Sequence, residues 1–153
     1  ALVTQPAFAQ TTTPTSLVGS WQLTLTPSTS TTGVAGLANF TSDGGGIATS
    51  ADGILVGPAS GAPSALNPAF GNWNICAACT GPANQANMEF IGDITNSDGS
   101  IAGTRTFTAT VVVSSSGSFS GSYQLVVTVG TISALSDGTI TGALIPHFTP
   151  PSS

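Results

Sequence analysis

The sequence predicts an all-β protein: a single antiparallel up-and-down β-barrel of about eight strands, with an extended tail at each end. Three observations carry that expectation. Turn signals recur between apolar runs, at Ser42-Asp43-Gly44-Gly45, Ala51-Asp52-Gly53, Asn96-Ser97-Asp98-Gly99, Ser114-Ser115-Ser116-Gly117 and Leu135-Ser136-Asp137-Gly138. Asp-Gly and its relatives supply the positive φ angles that tight hairpins demand. The runs between them alternate apolar and hydroxyl side chains with period two, the pattern of a half-buried strand. Helix-forming surface residues are scarce, with charged residues at 5% of the chain and a single Lys or Arg.

Residues 1–16 read as an extended N-terminal segment. Within it, Ala7-Phe8-Ala9-Gln10 fits the small-x-small pattern before a signal-peptidase cut. The segment is either a remnant of an export signal or the arm of a mature secreted protein, and both readings place the protein outside the cell. The barrel is expected over 17–146. Its first strand, near 17–26, puts Trp21, Leu23 and Leu25 on one face and Gln22, Thr24 and Thr26 on the other. Strands near 34–42 and 46–51 follow across the Asp43-Gly44 turn. Residues 52–68 form a long Gly/Pro/Ala/Ser loop, and a strand near 69–76 carries Trp73. A second loop, 77–86, leads to strands near 87–95 and 100–113. On the latter, Phe107, Ala109, Val111 and Val113 share a face. The strand near 118–130 alternates Phe119, Tyr123, Leu125, Val127 and Val129 with Ser118, Ser120, Ser122, Gln124 and Thr128. A last strand near 138–146 runs into an extended tail, 147–153. Eight hairpin-linked strands lose their edges by closing on themselves, which favours a barrel over a two-sheet sandwich.

At this point the chain resembles known proteins. Ser16-Leu17-Val18-Gly19-Ser20-Trp21 is similar to the Gly-x-Trp opening of calycin-type barrels, the lipocalins and streptavidin relatives. The order continues with Asn39-Phe40-Thr41-Ser42-Asp43-Gly44, Gly71-Asn72-Trp73, Gly117-Ser118-Phe119-Ser120-Gly121-Ser122-Tyr123 and Gly138-Thr139-Ile140-Thr141-Gly142. It resembles small exported bacterial calycin-like domains over roughly residues 16–146. The resemblance implies the barrel. It also implies a small apolar ligand, since relatives in the wider superfamily mostly bind one. The scarcity of charge and a Cys-x-x-Cys loop depart from that pattern.

Charge excludes several functions. The net charge is -5, and one Arg cannot form the basic patch that nucleic acid or anionic lipid requires. No run of 18 apolar residues offers a membrane-spanning helix. Cys76-Ala77-Ala78-Cys79 lacks a cation or helix start to activate a thiolate, and lacks further ligands for zinc. A small disulfide between Cys76 and Cys79 is the expectation. Asn96-x-Asp98-x-Ser100 echoes half a calcium loop but lacks its other carboxylates, so it reads as a turn, and no metal is expected. Asn39-Phe40-Thr41 matches the glycosylation acceptor pattern but falls within a strand, and is read as unmodified.

Arg105 shares parity with Phe107 and is therefore expected inside the barrel, paired with Glu89 or Asp93. Trp21 is expected to plug one end. If a cavity exists, Trp73, Arg105, Phe107 and Tyr123 are its expected ligand-binding residues. His147 lies in the tail, and no catalytic set or cofactor is expected. Three functions follow. The favoured one is a non-enzymatic extracellular structural subunit that self-assembles into a filament or surface layer. Its neutral hydroxyl surface offers little repulsion between copies. An apolar arm carrying Leu2, Val3 and Phe8 would lie on a neighbour or add to an exposed strand edge there. A secreted carrier of a small apolar ligand is the alternative, and a cyclase-type barrel enzyme the second.

Overall fold

A computed structural model describes residues 16–49, 68–76, 84–96, 98–114 and 116–146, and the strand backbone at 50 and 65–66. The described residues form nine strands and no helix. They are β1 (Gly19–Pro27), β2 (Val34–Phe40), β3 (Gly45–Ser50), β4 (Ala65–Leu66), β5 (Ala69–Ile75), β6 (Gln85–Thr95), β7 (Ile101–Val113), β8 (Ser118–Val129) and β9 (Ile132–Leu144). The sheet runs β6-β5-β3-β2-β1-β9-β8-β7, and β7 pairs back onto β6. Every pairing is antiparallel, so eight strands close one barrel, as the alternation and the turns predict. The two-residue β4 was not foreseen. It pairs with Ile94 and Thr95 of β6, just past Ile91, where β5 ends its pairing. The expected tails, with Leu2, Val3, Phe8 and His147, lie outside the described residues.

Three of the predicted turns have the geometry that their glycines imply, with φ of 89° at Gly44, 85° at Gly99 and 79° at Gly117. The fourth described one is a correction. Leu135-Ser136-Asp137-Gly138 is not a turn but lies inside β9, which begins at Ile132. The chain reverses instead at Gly130-Thr131, a two-residue link between the paired Val129 and Ile132, with φ of 61° at Gly130. Gly138 is glycine for a steric reason. A Cβ there would stand 2.1 Å from the Thr26 carbonyl oxygen and 2.8 Å from the Tyr123 hydroxyl. Gly142 is its counterpart, with the Phe119 ring 2.3 Å from the place of a Cβ.

Inward positions hold the core. Leu17, Trp21, Leu23 and Leu25 meet Phe40, Met88, Phe90, Val111, Phe119, Tyr123, Leu125 and Ile140. Each such aliphatic or aromatic side chain contributes about 1.5–3 kcal/mol on leaving water. Trp21 packs on Phe119 with ring centroids 4.9 Å apart, and its Nε1–H donates to the Leu17 carbonyl at 2.7 Å. It fills the interior near the start of β1, as expected of a plug. The outer face carries Thr, Ser, Asn and Gln on most strands.

Candidate functional site

The interior comes first, because a carrier or a cyclase needs room there. Phe107 and Tyr123 stack on each other, centroids 5.3 Å apart and planes 23° apart. Arg105 is 2% exposed, inside as its parity requires. Burial pushes its guanidinium down from its ordinary pKa, and the charge of Asp93 acts the other way. Of the two acids expected beside it, Asp93 is the one whose charge acts on it, although Asp93 and Glu89 both lie on the exposed face of β6. The cavity that Arg105 and Phe107 share with Leu23, Leu25 and Met88 is about 30 Å³. That is room for about two waters. Trp73 does not line it. It is half-buried, sits edge-on to Phe40 at 6.3 Å, and donates from Nε1 to the Thr41 carbonyl at 2.9 Å. Of the four expected ligand residues, Arg105 and Phe107 line this small cavity, whereas Trp73 and Tyr123 line a larger open groove of about 550 Å³ on β5–β8.

The remaining sequence motifs resolve locally. Cys76 follows β5 and is not a free thiol; Cys79 lies outside the described residues. The Asp98 carboxylate accepts from Ser100 N–H at 2.9 Å and Ser100 Oγ at 2.6 Å, so its oxygen is used within the turn. Asp43 likewise accepts from Thr41 Oγ1 and, at 3.1 Å, from Gly45 N–H. These bonds hold both carboxyls below their ordinary pKa of 3.8. Among the described residues, no cluster of three metal-capable side chains forms, and no helix is long and apolar enough to cross a membrane.

Three features of the outer face were not legible in the sequence. First, register aligns exposed apolar residues of separate strands: Ile47 with Phe70, Phe70 with Ile91, and Val126 with Leu135. The half-buried Thr106 joins the two halves, pairing with Ile91 on one side and Val126 on the other. Phe70 is 65% exposed and Leu135 is 68% exposed. Second, the next row along the strands is polar, Asn72-Glu89-Thr108-Gln124, followed by Asn74-Asn87-Thr110-Ser122. These rows line an open groove of about 550 Å³. Third, β1 pairs with β9 only from Gly138 onward. Asp137 is still held from the β1 side, its carbonyl accepting from Ser28 N–H at 2.9 Å. Among the described residues, the stretch Ile132–Ser136 pairs with β8 alone, leaving that part of one flank of β9 open. Ile132 at its start is 69% exposed.

No protein-family profile, no curated protein and no solved structure matches the chain. The site therefore stands on this geometry. The closed antiparallel barrel is compatible with the calycin-like resemblance.

Proposed function

We propose that the protein is an exported, non-enzymatic structural subunit of calycin-like build that assembles with copies of itself. The observation that carries this reading is the open flank of β9. A strand whose backbone N–H and C=O groups lack a partner on one side is a template for another chain. Natural edges are blunted by charge, proline or a bulge. This one instead presents Ile132 and Leu135, with no charged residue and no proline from Ile132 to Ser136. The apolar row ending at Leu135 continues the sticky surface around the barrel. Net charge is spread thinly, with six acids in 153 residues, so repulsion between copies is weak.

The partner segment is the apolar stretch of residues 1–9 from another copy, with Leu2, Val3 and Phe8 as its anchors. Added as a strand, it would supply main-chain hydrogen bonds to β9, and its alternate side chains would rest on the apolar row. A Cys76–Cys79 disulfide belongs to the same reading, as the staple of an exported loop. The cavity of about 30 Å³ is what sets this reading ahead of carrier and cyclase, both of which need a chamber.

Sedimentation and electron microscopy test it. The full chain should form polymers. Leu135→Lys, which places a charge on the open edge, should leave dispersed, folded barrels, and so should deletion of residues 1–10. Polymers of unchanged size in both variants, or a wild-type chain that stays monomeric at millimolar concentration, would overturn the proposal.

A further inference from the structure

The groove on β5–β8 belongs to neither the core nor the open edge, and we infer that it binds a neutral oligosaccharide. Its floor is a rigid four-strand ladder. Asn72, Glu89, Thr108 and Gln124 form one row across it, with successive strands about 4.8 Å apart, so the row spans about 14 Å. That is the reach of a short chain of sugars rather than a single ring. The row mixes amide donors, amide acceptors, a hydroxyl and a carboxylate, the set that matches hydroxyl groups able both to donate and to accept. Phe70, at one end of the groove, offers an exposed ring face on which the apolar side of a sugar can rest.

The same groups are idle in a way that their neighbours are not. Elsewhere on the outer face, polar side chains close on one another: Asn39 Nδ2 donates to Ser20 Oγ at 2.9 Å, Ser28 Oγ to Asp137 Oδ1 at 2.5 Å, and Thr128 shares a 3.0 Å bond with Ser133. In the groove, Thr110 Oγ1 donates to Asn87 Oδ1 at 3.0 Å, which turns the Asn87 amide nitrogen free to donate outward. Among the described residues, Asn72, Glu89 and Gln124 direct theirs to solvent.

Other ligand classes fit less well. An anion finds no cation in the groove and meets Glu89. A lipid meets a polar floor. An extended peptide would need backbone partners, and β6, β7 and β8 beneath the groove are paired on both sides, as is β5 from Phe70 to Asn72. The strands that carry these side chains are held in the barrel, so the backbone beneath the groove needs no ordering on binding and only the side chains lose freedom.

The experiment is a titration of the full chain by calorimetry and of the dispersed Leu135→Lys variant by calorimetry and backbone-amide NMR. The probes are cellohexaose, xylohexaose and chitohexaose, with an oligogalacturonate as the anionic comparison and a neutral Gly/Ser/Gln peptide as the peptide comparison. At least one neutral sugar should bind both proteins with matching affinity per subunit, and should perturb the amides around Asn72, Asn87 and Gln124 in the variant. Asn72→Ala combined with Gln124→Ala should weaken that binding at least about tenfold, the effect of losing one good hydrogen bond or more. These exposed substitutions should leave polymer formation untouched, so this inference and the assembly reading fail separately. No perturbation by any neutral sugar at millimolar concentration would overturn it. So would tighter binding of the oligogalacturonate or the peptide, or binding indifferent to the double substitution.

Discussion

Replacing Tyr123 by phenylalanine removes one oxygen from the middle of the barrel and nothing else. The ring keeps its place, because it is stacked on Phe107 and lies over the glycine at 138. The hydroxyl is buried and makes no hydrogen bond among the described residues. A buried polar group left without a partner costs about 1–3 kcal/mol. The void left by one oxygen costs back about 0.5 kcal/mol. Tyr123→Phe should therefore stabilise the fold by about 1 kcal/mol, a rise in melting temperature of about 3 °C for a chain of this size. Urea unfolding followed by the fluorescence of Trp21 and Trp73 measures it, with an unchanged slope as the sign that the fold is the same. The pH dependence supplies a second reading. Burial, and then the charge of Asp137, raise the Tyr123 pKa above its ordinary 10.0. The neutral form is the one the fold favours, so this contribution is fully present below pH 10 and is lost as pH rises through the folded-state value. The phenylalanine variant should not show that loss. A variant that is less stable by 1 kcal/mol or more would refute the reasoning, since it would mean that the hydroxyl has an internal partner.

Three further outcomes follow from the same packing and hydrogen bonds. Trp21→Phe should destabilise by about 1–3 kcal/mol in the same urea assay, because the Leu17 carbonyl loses its 2.7 Å donor inside the core. Gly142→Ala should cost at least as much, since the Phe119 ring occupies the place of the new methyl group. Carbon-detected NMR titration should find the Asp43 and Asp98 carboxyls ionising below 3.8. Their depressed values mean that the two turns gain stability above that pH and lose it as pH falls through the folded-state values, and Asp98→Asn should remove the acid-side change at its own turn.

The architecture was largely readable from the chain because it rests on local signals. Alternation set the faces of Trp21, Phe107 and Tyr123, and parity alone placed Arg105 inside. The failures have physical causes. Asp137-Gly138 carries the composition of a hairpin turn, but that glycine is there to admit a tyrosine from the next strand. The actual reversal at Gly130-Thr131 has no Asx residue to announce it. A strand as short as Ala65–Leu66 has no period to detect. The groove and the apolar row escaped for a different reason. Each is assembled from side chains on four or more strands, and only the register of the sheet makes neighbours of them. The small size of the cavity beside Arg105 is likewise a property of volumes meeting across the barrel, which no single strand encodes.

The two aromatic–glycine pairs described on β8 and β9 have a consequence for how the hairpin finds its alignment. Phe119 faces Gly142, Gly121 faces Ile140, and Tyr123 faces Gly138. Large meets small, small meets large, and large meets small again. A slip of one residue would turn the apolar faces outward. A slip of two would preserve the faces, and is the error that alternation by itself does not forbid. Here it would set Phe119 against Ile140 or Leu144, and bring Gly121 against a second glycine. One contact is overfilled by about 1–3 kcal/mol while the other is left hollow. The sequence thus acts as a key cut at three depths. It rejects the one misalignment that polarity would pass, in a ribbon otherwise so rich in Ser, Thr and Val that many alignments would look alike.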